Sequence, residues 1–280
     1  MSSTAHYVVN FDPFAVRFPE GFFLEGVRWY GLSYLAGFAI AYLMLRWYSK
    51  CKRSPLSEDE NSSFITYLLF GVILGGRIGY MLLYDFGTLV SDPLSLFRIW
   101  KGGMASHGGF IGVVLATLIF GRVHKVAFFT LSDIIVTICT PGIFLGRLAN
   151  FINGELWGKV SNVGWAMIFP NSAPPGTPLS EIPPRHPSQL YEGALEGLAL
   201  FLFLQWRFWR CNLPKGQVSG EFLVLYGCVR IFCEVFRQPD AGVSLIFGMS
   251  RGTFYSIFAI LAGAAIIFAA RSAAARKKGS

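Results

Sequence analysis

FFTLSDIIVTICTPGIFLGRL, running from Phe128 to Leu148, decides the architecture of this chain. The stretch is close to the roughly 20 residues that an α-helix needs to cross the apolar core of a bilayer. Asp133 and Arg147 are its only charged residues. A helix at the surface of a soluble domain would carry a charged face, and this one has none. Six other runs share its character: about Trp29 to Tyr48, Phe64 to Tyr84, Gly108 to Phe120, Pro187 to Trp206, Phe222 to Phe236 and Gly252 to Ala270. Gly108 to Phe120 and Phe222 to Phe236 are short for a span, which calls for tilt, a break, or shelter by neighbouring helices.

Composition points the same way. Of 280 residues, 53% are hydrophobic, 16% aromatic and only 14% charged, against about a quarter charged in soluble domains. The net charge of +8 would suit nucleic acid, but the Lys and Arg residues sit in short clusters between apolar runs, so no nucleic-acid partner is expected. Counted on alternate sides of the drawn spans, thirteen basic residues fall on one side, among them Arg46, Lys50, Arg122, Arg207 and Arg271. Eight fall on the other side over longer connections, and Arg77, Arg147 and Arg230 lie near or within spans. The denser side is the cytoplasm, which puts the N-terminus outside and the C-terminal tail inside.

The expected fold is therefore an all-α integral membrane protein, about seven transmembrane helices around an outward-facing polar cavity. It forms a single polytopic domain over residues 1–280, with outer loops about 85–107, 149–186 and 237–251. The Asn171 to Pro184 stretch, rich in Pro, Ser and Gly, reads as a flexible outer loop able to act as a lid. The first thirty residues carry Asp12, Pro13, Glu20 and Glu25 and lack the pattern of a cleaved signal peptide. Five cysteines without CxxC spacing read as small buried hydrophobes.

An arginine near mid-membrane costs a few kcal/mol or more and requires a partner or a wet cavity. Arg147, Asn150 and Gly154 stand at i, i+3 and i+7 and share a face if the helix runs that far. They would offer a cation, an amide and open backbone; the bland alternative is an arginine snorkelling to the interface. Arg230 and Glu234 stand at i and i+4 on an otherwise apolar segment, with Arg237 at i+7. Two cations flank one carboxylate there, and the unbalanced arginine favours an anionic ligand over a purely structural salt bridge. Arg77 follows the stripe Gly71, Gly75 and continues to Gly79, a surface for close helix contact. It lines a cavity with Tyr80 and Tyr84 or serves packing.

His107, ahead of Gly108 and Gly109, offers a base where backbone can approach a bound group, or is merely a solvated interface residue. His186, before Pro187, marks a helix start. The sequence contains no HExxH motif, no cysteine cluster, no P-loop and no GxGxxG opening a helix. Neither a metal nor a cofactor is expected.

The run GRLANFINGELWG, Gly146 to Gly158, resembles the signature of the prolipoprotein diacylglyceryl transferase family. So do Trp29 to Gly31, His107 to Gly109, the run RHPSQLYE at Arg185 to Glu192, and Arg230 to Asp240 with its FRQPD ending. The matches are in order, and only Ala149 departs, standing where many members carry Gly. The resemblance implies transfer of the sn-1,2-diacylglyceryl group of phosphatidylglycerol to the lipobox cysteine thiol of prolipoprotein signal peptides, forming a thioether and releasing glycerol phosphate. It implies no cofactor, and a site at the outer face of the bacterial inner membrane. On this resemblance His107, Arg147 and Arg230 are the catalytic residues. Asn150, Glu155 and Gly158 position the headgroup, Tyr30 and Tyr226 line the pocket, and Glu234 orients Arg230 and Arg237. The rival class is a transporter or channel for an anionic lipid or solute, which intramembrane arginines also mark; against it, no internal repeat relates the two halves. An intramembrane protease would need a second acid facing Asp133, and none is in view.

Overall fold

The computed structural model describes residues 6–22, 25–98, 102–239 and 245–279. Lys101, counted among the outer basic residues, and Asp240, which ends the last motif, lie outside them. Helix occupies each segment read as a span. The helices are α1 (Trp29–Lys50), α2 (Glu58–Leu83), a short α3 (Phe86–Ser91), α4 (Ser106–Val123) and α5 (Phe128–Ile152), followed by a composite helix, then α8 (Gln217–Glu234) and α9 (Arg251–Gly279). In the composite, α6 (Ser188–Glu192) passes through a π-helical stretch, Gly193–Ala199, into α7 (Leu200–Arg210). Three 3-10 turns (Pro93–Phe97, Pro170–Ser172 and Leu179–Glu181) and two short ribbons complete the described elements: β1 (Tyr7–Val8) parallel to β4 (Met167–Ile168), and β2 (Phe14–Arg17) antiparallel to β3 (Gly26–Arg28).

Among the described residues four helices, α2, α4, α5 and α9, are long and apolar enough to cross a membrane. Many of their large apolar side chains point outwards: Phe70 on α2 is 56% exposed and Phe268 on α9 is 75% exposed. Water would make such surfaces untenable, whereas lipid is their natural solvent, and helix is one of the few structures that satisfies its own backbone there. The chain is a predominantly helical, multi-pass membrane protein.

The chain divides into two compact units, residues 41–135 and residues 1–40 with 136–280. In the first, α2 opens with a capping box in which Ser57 accepts from the Glu60 N–H and Glu60 accepts from the Ser57 N–H. The glycine stripe of α2 then meets glycines of α4. A methyl group added at Gly79 would sit 2.7 Å from Gly108 Cα, and one at Gly71 would sit 2.6 Å from Gly112 O. Gly108, read above as leaving room for a bound group, is instead spent on helix contact.

In the second unit, Pro141 lies inside α5 and has no N–H, so the Thr137 carbonyl loses its helical donor. Gln205 Nε2 on α7 donates to that carbonyl at 3.0 Å, which binds α7 to α5 where the helix would otherwise be weak. Val136, Leu204 and Val218 form a small core beside this junction. Gly220 of α8 packs on α9, where an added methyl would lie 2.8 Å from Gly263 O. The cysteines do not behave uniformly as buried hydrophobes. Cys233 is buried, but Cys51, in the turn after α1, and Cys228, on α8, are exposed, and all five are free thiols.

Candidate active site

Three arginines and three glutamates meet within the second unit. Arg147, near the end of α5, places Nη1 2.8 Å from Glu192 Oε2 and Nη2 3.0 Å from Glu196 Oε2. Arg230 of α8 places Nη1 3.1 Å from the same Glu192 oxygen and 3.3 Å from Glu196 Oε1, and Nη2 2.5 Å from Glu234 Oε1. Arg237 Nη1 lies 3.3 Å from Glu192 Oε1. Glu192 and Glu196 are fully buried, and the guanidinium groups are the partners that offset the cost of burying them.

Local sequence explains how they reach one another. Glu192 and Glu196 stand four residues apart, each followed by a glycine. A methyl at Gly197 would lie 2.6 Å from Phe144 Cβ, and one at Gly193 would lie 3.3 Å from Arg147 Cβ. The missing side chains let the composite helix settle on α5 with both carboxylates beside Arg147. Across the cluster, Gly252 at the start of α9 covers the Arg230–Glu234 pair; a methyl there would lie 2.7 Å from Glu234 Cδ and 3.2 Å from Arg230 Nε.

Three motifs that are far apart in the chain cross at Gly158. Its N–H donates to His186 O at 2.8 Å, and Lys159 N–H donates to Phe236 O at 2.8 Å. Gly158 also forms an antiparallel bridge with Arg237. A methyl at Gly158 would lie 2.6 Å from His186 O and 2.7 Å from Phe236 O, so only glycine fits the crossing. The preceding turn is held from α6, where Gln189 Nε2 donates to Glu155 O at 2.5 Å and Ser188 Oγ to Leu156 O at 2.9 Å. Glu155 in turn receives Asn150 Nδ2 at 2.8 Å and Asn153 Nδ2 at 3.2 Å on one carboxylate oxygen. His186 sits beside this crossing with Nδ1 3.1 Å from the Tyr191 hydroxyl, and burial pushes its pKa below the ordinary histidine value.

The predicted residues thus divide. Arg147, Arg230, Glu234 and Arg237 join one ion cluster. Asn150 and Glu155 bond each other just beyond the end of α5. Tyr226 lies within electrostatic range of Arg147, Arg230, Glu192 and Glu196, and Tyr30 within range of Arg147 and Glu155. Gly158 is the backbone crossing that ties the segments together. His107 belongs to the other unit, as the exposed second residue of α4.

Two expectations need correction. Gly154 does not share a helical face with Arg147, because α5 ends at Ile152 and Gly154 takes a φ of +61° in the turn beyond it. Nor is Arg237 an unbalanced cation, since Glu192 is its partner and the three arginines face three glutamates. Sequence reasoning missed Glu192 as an ion partner and missed Glu196 altogether. Two carboxylates at i and i+4 inside an apolar run were the available signal, because an ionisable group at such a position demands a partner. Arg77 lines a small cavity with Tyr80, and its guanidinium donates to the carbonyls of Ser95, Leu96, Gly102 and Gly103.

Long apolar helices, and within one unit a buried cluster of arginine–carboxylate pairs, define a polytopic membrane protein with an ionic site. The prolipoprotein diacylglyceryl transferase family matches residues 20–269 of the chain. The phosphatidylglycerol–prolipoprotein diacylglyceryl transferase of Aeromonas salmonicida (strain A449) is 46% identical over 245 residues, covering 87% of this chain and 86% of that protein. The enzyme of the same name from Bordetella avium (strain 197N) is 46% identical over 258 residues, 91% of this chain and 92% of its own length. That of Shewanella oneidensis (strain MR-1) is 43% identical over 264 residues, 92% and 95% of the two chains. The chain belongs to the prolipoprotein diacylglyceryl transferase family. It is a transferase acting in lipoprotein maturation.

Proposed function

We propose that the chain takes the sn-1,2-diacylglyceryl group from phosphatidylglycerol and transfers it to the lipobox cysteine thiol at the end of a prolipoprotein signal peptide. A thioether forms and glycerol phosphate is released. The observation that carries this reading is the sharing of Glu192 and Glu196 between Arg147 and Arg230. Two guanidinium forks held side by side by carboxylate oxygens have the spacing to receive the oxygens of a phosphodiester instead.

In this reading Arg147 and Arg230 gather the charge that builds on the phosphate as the glycerol C–O bond breaks, in a low-dielectric setting where such contacts gain strength. Asn150 and Glu155 bind the polar headgroup, and Gly158 fixes the loop that presents it. Tyr30 and Tyr226 line the pocket, and Glu234 orients Arg230. His107 is the base that takes the thiol proton, on the strength of the imidazole's capacity to accept one and its exposed place in the first turn of α4. A thiol with pKa near 8.5 is a poor nucleophile until it is deprotonated.

The whole chain acts as one polytopic domain of seven crossings, with the N-terminus outside, in the bacterial inner membrane. Loops about 85–107, 149–186 and 237–251 face outwards, where the site meets its substrates. The asymmetry of basic residues supports this sidedness.

The test is incubation of the purified protein with phosphatidylglycerol and a lipobox peptide. A mass gain of one diacylglyceryl unit on the cysteine peptide, absent from a Cys→Ser peptide, is the expected result. Arg147→Ala should lower the rate by about 10²–10³-fold, the usual cost of deleting one charge-stabilising donor. Near-normal transfer by that variant would remove the phosphate role.

A further inference from the structure

The charge balance of the cluster sets a condition on any anion that enters it. Arg147, Arg230 and Arg237 are matched by Glu192, Glu196 and Glu234, so the site is formally neutral before substrate arrives. A phosphodiester brings one more negative charge between guanidinium groups already taken by carboxylates. An uncompensated buried charge is costly, so a carboxylate must either leave for water or take up a proton. Glu196 cannot leave. It is fully buried on the π-helical stretch, and the flanking Gly193 and Gly197 are packed against Arg147 and Phe144.

Resting on the function proposed above, we propose that phosphodiester binding is coupled to uptake of one proton by Glu196, which then acts as the acid that protonates the departing phosphate. The choice of Glu196 over Glu192 follows from their partners. When phosphate claims Arg147 and Arg230, Glu192 keeps its contact with Arg237, whereas both of the arginines that contact Glu196 are taken. The groups facing Glu196 are Arg147 from α5, Arg230, Tyr226 and Cys233 from α8, and Glu192 one turn earlier on its own helix. Tyr226 and Cys233 are neutral partners, and neither supplies the missing positive charge.

The step balances. The thiol proton passes to the base, the thiolate sulfur forms the C–S bond, and the glycerol C–O bond breaks with its electron pair left on the phosphate oxygen. Glu196 gives that oxygen its proton, so glycerol phosphate forms as a monoanion and Glu196 is again a carboxylate. The cluster then carries one negative charge too many, which repels the product and restores the resting ion pairs.

The measurement is titration calorimetry of the detergent-solubilised enzyme with short-chain phosphatidylglycerol, without peptide so that no transfer occurs, in two buffers of different ionisation enthalpy. Wild type is expected to take up about one proton per lipid bound, with affinity falling about tenfold per pH unit on the alkaline side. E196Q mimics the protonated state. It should bind the lipid at least as tightly, with no proton uptake, while kcat falls by about 10²-fold, in the range of a lost general acid, and KM does not rise. E196D should recover part of kcat. Lipid binding by wild type without proton uptake would overturn the proposal, even if E196Q fails to fold. Unchanged uptake in E196Q would overturn it as well. Loss of lipid binding in wild type would instead sink the phosphatidylglycerol reading on which it rests.

Discussion

Arg77 and Arg147 look alike in sequence. Each follows a glycine, precedes Ile or Leu, and lies in a long apolar helix. Their surroundings differ in kind. Arg77 donates to four backbone carbonyls of the 95–103 segment, including Ser95 O and Gly102 O at 2.5 Å each. Those acceptors are neutral and fixed by the chain, and an incoming anion has no way to exchange with them. Arg147 instead holds Glu192 and Glu196, which are themselves shared with Arg230. Carboxylate oxygens resemble phosphate oxygens in charge and geometry, so the same fork can pass from one to the other. Under the proposed function, a buried arginine is therefore structural or functional according to what it donates to.

The sharpest way to break this contrast is to replace both arginines with lysine. Lysine keeps the charge but loses the planar fork. Arg147→Lys is expected to lower transfer by about 10²-fold or more, while Arg77→Lys leaves kcat per folded molecule within about twofold and lowers stability by about 2–3 kcal/mol through lost charged hydrogen bonds. Rates measured beside thermal unfolding would decide, and equal loss of kcat in both variants would erase the distinction. A second test presses on the cluster from outside. Gly252→Ala puts a methyl group 2.7 Å from Glu234 Cδ, so it should displace that carboxylate and cut transfer about tenfold, with an overpacking cost of about 1–3 kcal/mol. An unchanged rate would mean that Glu234 does not orient Arg230. The smallest effect is expected from Gln205→Leu, which leaves the Thr137 carbonyl without its side-chain donor. Stability should fall by about 1–2 kcal/mol with kcat intact, and a loss of kcat would show that the α5–α7 junction governs the cluster as well as supporting it.

Much of the cluster was legible before the structure, and the reason is chemical. Arg147 and Arg230 declare themselves because a guanidinium in an apolar run requires an explanation whatever the fold. Asn150, Glu155 and Glu234 follow as polar neighbours within one or two turns of the chain. Glu196 was overlooked because its partners lie 49 and 34 residues away, and separation in sequence carries no trace of contact. Gly108 was misread because a glycine that admits a ligand and one that admits a neighbouring helix have the same local sequence. Arg237 was judged unpaired because only Glu234 was near it in the chain.

By itself, then, the sequence determined the solvent, the helical character of the spans and the chemical identity of the polar groups, because hydropathy and residue chemistry are local properties. Its ordered motifs also named the family. Only the tertiary structure decided which carboxylate balances which arginine, that the motifs around Asn150, His186 and Phe236 are stitched at Gly158, and that Arg77 donates to backbone carbonyls while Arg147 donates to carboxylates. Pairing depends on where helices cross. That is set by glycine contacts and by the carbonyl that Pro141 leaves for Gln205, which bring together residues that the chain itself keeps apart.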